Sequence, residues 1–307
     1  MTVCIIITAV AALFLMICFA AYLRAFYHKG SGQLELPRSK QYSVHKEEFE
    51  KMTGEYSKIK WENATVKARD SIKLCAEVLD QGSKICQIQM HGYKSSPTRD
   101  FCGGAPLAAG LGHNLIVPYQ RAHFSSGSRT ITFGIREADD VKVWVDYAKK
   151  RFGEDVKIIL CGVSMGAATV ITAAGLEPDE RVVGVVADCP YSSPKGIIKK
   201  VCGDMGLPSG IAYPFAWMGA LIFGRLRIKR QDGAMYAVKN SRLPILLMHG
   251  DDDRFVPVGM SKQIKEANPD KVRLEIFPGA GHGLCYMCDP ERYKRLVREF
   301  CEEVTEK

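Results

Sequence analysis

An uncharged, almost wholly apolar run extends from Val3 to Leu23, "VCIIITAVAALFLMICFAAYL". At about 1.5 Å rise per residue this stretch is long enough to cross a hydrocarbon core of ~30 Å. The pattern then turns polar, through "HKGSGQLELPRSKQYSVHKEEFEKMTGEYSK", with one short helical period around His45 to Met52. From Lys58 onward it becomes regular. "KIKWENATVKA" and "IKLCAEVLD" alternate about the turn "RDS" and predict an antiparallel pair. "KICQIQMHGY", "HNLIVPYQ", "VKIILCGVS", "RVVGVVADCP", "PILLMHGDDD" and "VRLEIFPGAG" predict further strands. Between and after them lie the helix-like "RDFCGGAPLAAGLG", "FGIREADDVKVWVDYAKKRFG", "MGAATVITAAGL", "VGMSKQIKEAN" and "DPERYKRLVREFCEEVTE". Strands alternating with helices predict an α/β fold, a mostly parallel sheet covered on both faces. Functional groups in such a sheet belong at the carboxyl ends of its strands. The expected organisation is an N-terminal transmembrane anchor or signal over 1–30, a juxtamembrane linker over 31–57, and one α/β domain over 58–307.

Charge and cysteine content narrow the picture. The 307 residues carry 42 basic and 34 acidic side chains, a net +8 without a contiguous basic tract, so nucleic acid is not an expected partner. The 11 cysteines are scattered through apolar stretches, as free thiols of a reducing compartment would be. No Lys or Arg precedes the first apolar run, which favours an uncleaved anchor over a signal peptide. Arg24, Lys29, Arg38 and Lys40 follow it, and the positive-inside rule then puts the bulk of the protein on the cytoplasmic side. The sequon Asn63-Ala64-Thr65 reads as chance in that setting.

The chemistry centres on "LCGVSMGAAT", Leu160 to Thr169. Ser164 falls between a strand and a helix, flanked by Gly162 and Gly166, where a sharp turn projects its hydroxyl above the sheet. A serine hydroxyl needs a base, and the base an orienting carboxylate. "LLMHGDDDRFVP" offers Asp251, Asp252 and Asp253 after one strand, and "IFPGAGHGLCY" offers His282 after the next.

These residues resemble the α/β-hydrolase family over nearly everything from Lys58 to the last helix. The matches are His91-Gly92-Tyr93, Gly162-Val163-Ser164-Met165-Gly166, "HGDDDRFVP" and Gly281-His282-Gly283. The resemblance implies the α/β-hydrolase fold, with a small helical lid inserted before the late strands, here at about 191–236. It implies a catalytic triad of Ser164, Asp253 and His282, the acid being aligned on Val256 and Pro257, with Asp252 the fallback. It implies an oxyanion hole made by the backbone N–H groups of Tyr93 and Met165. Where many relatives have arginine, glycine, histidine, glycine, a variable residue and serine, this chain has Arg121-Ala122-His123-Phe124-Ser125. Alanine and phenylalanine avoid positive φ, so this loop is expected to be less permissive, with Arg121 and His123 structural.

Within the lid, Tyr213, Phe215, Trp217 and Met218 are candidates to line an acyl pocket, though burial against the core accounts for them as well. Arg225, Arg227, Lys229 and Arg230 suit a surface on anionic lipid. Cys285 and Cys288 have metal-like spacing but no second pair, so neither metal nor cofactor is expected. The function expected is a serine hydrolase acting on a small-molecule or lipid-like acyl substrate, ester or thioester. A prolyl or aminoacyl peptidase, and a catalytically silent binding protein of the same fold, are the alternatives.

Overall fold

The computed structural model describes residues 1–30, 40–176 and 178–306; Arg38 and the first part of the expected linker lie outside them. The chain opens with helices α1 (Thr2–Ala25), α2 (Lys40–Ser43) and α3 (Lys46–Lys58). Strands β1 (Glu62–Lys67), β2 (Lys73–Leu79), β3 (Ile85–Met90), β4 (Asn114–Tyr119), β5 (Lys157–Val163), β6 (Val182–Asp188), β7 (Ile245–Gly250) and β8 (Val272–Phe277) form one sheet, ordered β1-β2-β4-β3-β5-β6-β7-β8. The β1·β2 and β2·β4 pairs are antiparallel and the remaining pairs parallel. Helices α4 (Pro97–Asp100) and α5 (Gly104–Gly110) connect β3 to β4, α6 (Glu137–Phe152) connects β4 to β5, and α7 (Met165–Ala174) connects β5 to β6. Between β6 and β7 stand α8 (Pro194–Asp204), α9 (Ser209–Phe223), α10 (Ala234–Ala237) and a short turn over Val238–Asn240. Helix α11 (Gly259–Ala267) separates β7 from β8, and α12 (Cys285–Cys288) and α13 (Pro290–Thr305) close the chain.

Strand periodicity explains the two-faced core. Along β5, Ile158 and Leu160 enter the cluster built with α6 and α7, while Ile159 and Cys161 enter the one built with α5 and α13. Helix α6 is further favoured by Glu137, Asp139 and Asp140 in its first turn and Lys149, Lys150 and Arg151 in its last, matching the helix dipole. The free cysteines number 11, and most are buried.

Three local expectations differ. The stretch expected as one helix over "RDFCGGAPLAAGLG" is broken into α4 and α5 at Phe101–Gly103. A Cβ on Gly103 would lie 2.7 Å from the Tyr286 ring, so that glycine serves a close approach of α12. Helix α3 runs past the short period expected to end near Met52 and packs on the domain: Phe49 and Tyr56 are buried, and the Tyr56 hydroxyl bonds Glu77. The end of α1 is not free either. Tyr22 and Phe26 belong to the main core, and the Tyr22 hydroxyl lies 2.8 Å from Thr130 Oγ1. Helix α1 runs along α9, with Phe14 on Phe215 and Phe19 on Phe223 at ring distances of 5.5 and 4.9 Å. Gly219 allows that approach, because a Cβ there would overlap the Cys18 carbonyl oxygen.

Candidate active site

Ser164 follows β5 at φ 55° and ψ −113°, a region that L-residues avoid. Its N–H is held by the Asp188 carbonyl at 2.8 Å, and the flanking glycines make the turn possible. A Cβ on Gly162 would strike the backbone of Gly166 and Ala167, and one on Gly166 would strike the Met90 and His91 carbonyls. His282 follows β8 and Asp253 follows β7, so parallel strand ends bring the three side chains together. His282 Nε2 lies 2.9 Å from Ser164 Oγ, and its Nδ1 lies 2.7 Å from Asp253 Oδ2. Asp253 Oδ1 also accepts from the N–H groups of Phe255 and Val256 at 2.9 and 2.8 Å. Burial works to raise the Asp253 carboxyl. Hydrogen bonds from His249 and His282, the His282 charge and the Val256 N–H outweigh it and hold the group well below the usual carboxylate range. Asp251 and Asp252 stand outside this arrangement: Asp251 accepts from the Gly279 N–H, and Asp252 bonds Arg254 and Gln41.

Tyr93 follows β3 and shares the lining of two neighbouring cavities with Ser164, and Met165 is the residue after that serine in the chain, at the start of α7. Neither N–H has another acceptor among the described residues. The Tyr93 loop is braced from below and above. Asp100 accepts from the Gly92 N–H at 2.6 Å and from the Ser95 hydroxyl at 2.6 Å, and His123 Nε2 accepts from the Lys94 N–H at 3.0 Å. Above, the Tyr93 hydroxyl and Lys94 Nζ bond the last carbonyls of α1, at Ala25 (2.8 Å) and Arg24 (3.3 Å). Arg121 makes a buried bidentate pair with Asp140, both bonds 2.7 Å. Ala122 and Phe124 do take positive φ, 65° and 47°, so the loop keeps its shape at a cost in strain that glycine would not carry.

Residues 90–296 match the alpha/beta hydrolase family. The chain belongs to that family. Among curated relatives, the uncharacterized protein YqkD of Bacillus subtilis is 26% identical over 197 residues, 64% of either chain. Protein ABHD12B of Homo sapiens is 28% identical over 211 residues, 63% of this chain and 53% of its own. The match thus spans less than two thirds of the length of these relatives. Among solved structures, the Pyrococcus furiosus esterase Pf2001 superposes with a TM-score of 0.67 at 22% identity, covering 91% of this chain and 99% of that one. Est1E of Butyrivibrio proteoclasticus, solved with ferulic acid bound, gives 0.60 at 20% identity over 80% of this chain and all of that one.

In this α/β hydrolase Ser164 stands where two cavities meet. One, of about 480 Å³, is lined by Tyr42, Lys94, Asp188 and Tyr286 among others. The other, of about 540 Å³, is almost wholly apolar and lies between α1, α8 and α9. Arg24, Tyr93 and Phe255 border both. Of the four expected pocket residues only Phe215 lines the apolar cavity; Tyr213, Trp217 and Met218 do not. The helical period decides this, since Ile211, Ala212, Phe215 and Ala216 share the cavity face of α9. Tyr213 and Trp217 point the other way into the core packing, where Trp217 Nε1 donates to the Ile228 carbonyl at 3.0 Å.

Three contributors carried no readable signal: Asp100, Asp188 and the carbonyl end of α1. Asp188 is buried beside the elbow with Oδ1 unpartnered among the described residues, and burial pushes its carboxyl up to about 6. Cys189, Asp253 and His282 bring potential metal-ligand atoms within 4.8 Å of one another. They fit a metal poorly. His282 and Asp253 are bonded to each other, and burial with the nearby Asp188 and Asp253 charges pushes the Cys189 thiol far up, keeping it protonated.

Proposed function

We propose that the chain is a serine hydrolase, held at a membrane by α1, that cleaves the carboxylic ester-type bond of an apolar acyl substrate through an acyl-enzyme. The observation that carries this reading is the unbroken line from Asp253 through His282 to Ser164, 2.7 and 2.9 Å long. An ionised Asp253 keeps the proton of the imidazole on Nδ1, so Nε2 faces the serine with its lone pair. Ser164 Oγ then attacks the substrate carbonyl as Nε2 takes its proton, and the imidazolium returns that proton to the leaving oxygen. The acyl group is left on Ser164, and a water activated by the same nitrogen removes it. The uncommitted N–H groups of Met165 and Tyr93 suit the oxyanion, the first reinforced by the N-terminus of α7. This chemistry uses only side chains and backbone, and the insertion between β6 and β7 serves as the lid over an apolar acyl site.

Helix α1 is long and apolar enough to span a bilayer. Its final turns favour a retained anchor over a cleaved signal, because cleavage after them would strip Tyr22 and Phe26 out of the core. The basic residues after α1, Lys29 among them, favour a cytoplasmic hydrolase domain.

Labelling with a fluorophosphonate probe tests the reading: wild type should be labelled and Ser164→Ala, folded to the same extent, should not. Equal labelling of both proteins sinks the nucleophile assignment. A panel of p-nitrophenyl esters beside an aminoacyl amide separates the outcomes. Preference for the amide means a peptidase, and an unlabelled, inactive wild type means a binding protein on a hydrolase fold.

A further inference from the structure

We propose that α1 is itself one wall of the acyl site, and that the substrate is an ester of a bilayer lipid whose chain enters sideways between α1 and the α8–α9 pair. This inference rests on the serine-hydrolase reading above and adds where the substrate comes from. The apolar cavity ends at Ser164, and its wall on one side is Ile17, Ala20 and Ala21 of α1, opposite Ile198 of α8 and Ile211 and Phe215 of α9. Its volume of about 540 Å³ lies within the ~300–1,000 Å³ usual for small-molecule sites. The large side chains of α1 at Phe14, Phe19 and Tyr22 lie against aromatic rings of α9 or of α1 itself, while Ala20, Ala21 and Ala25 line the cavity beside Ile17 and Arg24. Space is therefore left on one side of a helix that is tightly seated on the other by the Gly219–Cys18 contact.

The outer surfaces point to the source of the chain. Helix α1 exposes Ile6, Val10 and Leu13, and α9 beside it exposes Ile211, Leu221 and Ile222. Directly after α9, Arg225, Arg227, Lys229 and Arg230 are exposed and alternate with the buried Leu226 and Ile228. An apolar two-helix surface ending in a basic border suits hydrocarbon followed by lipid headgroups. A chain passing from such a bilayer into the cavity stays in apolar surroundings throughout, so the cost of drawing it through water is avoided. The polar half of the ester is left to the second cavity, beside Arg24 and Lys94.

Full-length protein in phosphatidylcholine vesicles tests this. The readout is the ratio of kcat/KM on p-nitrophenyl palmitate, dispersed in the same vesicles, to that on p-nitrophenyl acetate. Ala20→Trp and Ala21→Trp fill the wall and should lower the ratio about tenfold or more, as lost pocket space does elsewhere. Leu23→Trp, on an exposed position outside the cavity, should keep it. Fluorophosphonate labelling of each variant reports an intact site; if tryptophan abolishes it, Ala21→Leu gives the same readout. A wild-type ratio no greater than one, or wall variants that keep the wild-type ratio, overturns the proposal and leaves the hydrolase reading standing. A wild type that neither hydrolyses an ester nor takes the label withdraws both.

Discussion

Replacing Gly166 by alanine adds one methyl group where the elbow, β3 and α7 meet. The new Cβ would lie 2.5 Å from the Met90 carbonyl carbon and 2.7 Å from the His91 carbonyl oxygen, and would overlap the Met90 oxygen. Ordinary contact begins near 3.4 Å, so the Met90 carbonyl of β3 must retreat by more than about 1 Å. No rotamer change relieves this, since the atoms in the way are main chain. Overpacking usually costs ~1–3 kcal/mol where side chains can adjust. With rigid neighbours the upper end or more is expected, a large part of the ~5–15 kcal/mol that holds a typical domain together. Activity should suffer further, because the same shift moves Tyr93 relative to Ser164, and a misplacement of about 1 Å can cost ~100-fold in rate. The control is Gly54→Ala: Gly54 is exposed inside α3, with nothing within 4 Å of its added Cβ. That change should stabilise by about 0.5–1 kcal/mol. Guanidinium unfolding followed by the fluorescence of the buried Trp144, with ester turnover on the same samples, measures both. A Gly166→Ala protein within about 1 kcal/mol of wild type would refute the close-approach argument.

Two further outcomes follow from the acidic residues. Asp253→Asn should lower kcat on a p-nitrophenyl ester by about 10⁴, while Asp252→Asn, which only loosens contacts to Arg254 and Gln41, should keep it within a few-fold; the reverse ranking would move the acid by one residue. Asp188 titrates near 6 when folded against ~3.9 unfolded, so its ionisation opposes folding increasingly as pH rises through that window and constantly above it. The neutral Asp188→Asn should therefore gain about 1 kcal/mol more over wild type at pH 7.5 than at pH 5, by guanidinium unfolding, and a pH-independent difference would count against a buried, strained carboxyl.

The parts of the molecule that were readable in the chain are those in which local pattern and tertiary role coincide. Strand β5, the turn at Ser164 and helix α7 announce themselves because small residues are demanded there by backbone contacts rather than by side-chain packing. The residues alone left Asp251, Asp252 and Asp253 open, and only the resemblance to the family's pattern, aligned on Val256 and Pro257, singled out Asp253. Helices α1 and α9 were opaque for one shared reason. Both are apolar around their whole circumference, so no period separates the face on the cavity from the face on the core, and large residues such as Trp217 drew attention to the wrong side. The split of α4 from α5 was hidden by an ambiguity of glycine: Gly103 inside a helix-like run gives no hint that it answers to Tyr286, far away in sequence.

The burial of Tyr22 and Phe26 alters how the enzyme proposed here meets its substrate. A catalytic body on a loose leash samples all orientations above a membrane, and its encounters scale with bulk concentration. Here the last turns of α1 are built into the body, so the opening beside Ser164 keeps a constant angle to the helix axis and, with α1 spanning a bilayer as proposed, would address a single leaflet. The natural variable for such an enzyme is mole fraction in the surface rather than molarity, and diluting a substrate with inert lipid slows it while diluting the vesicles in buffer does not.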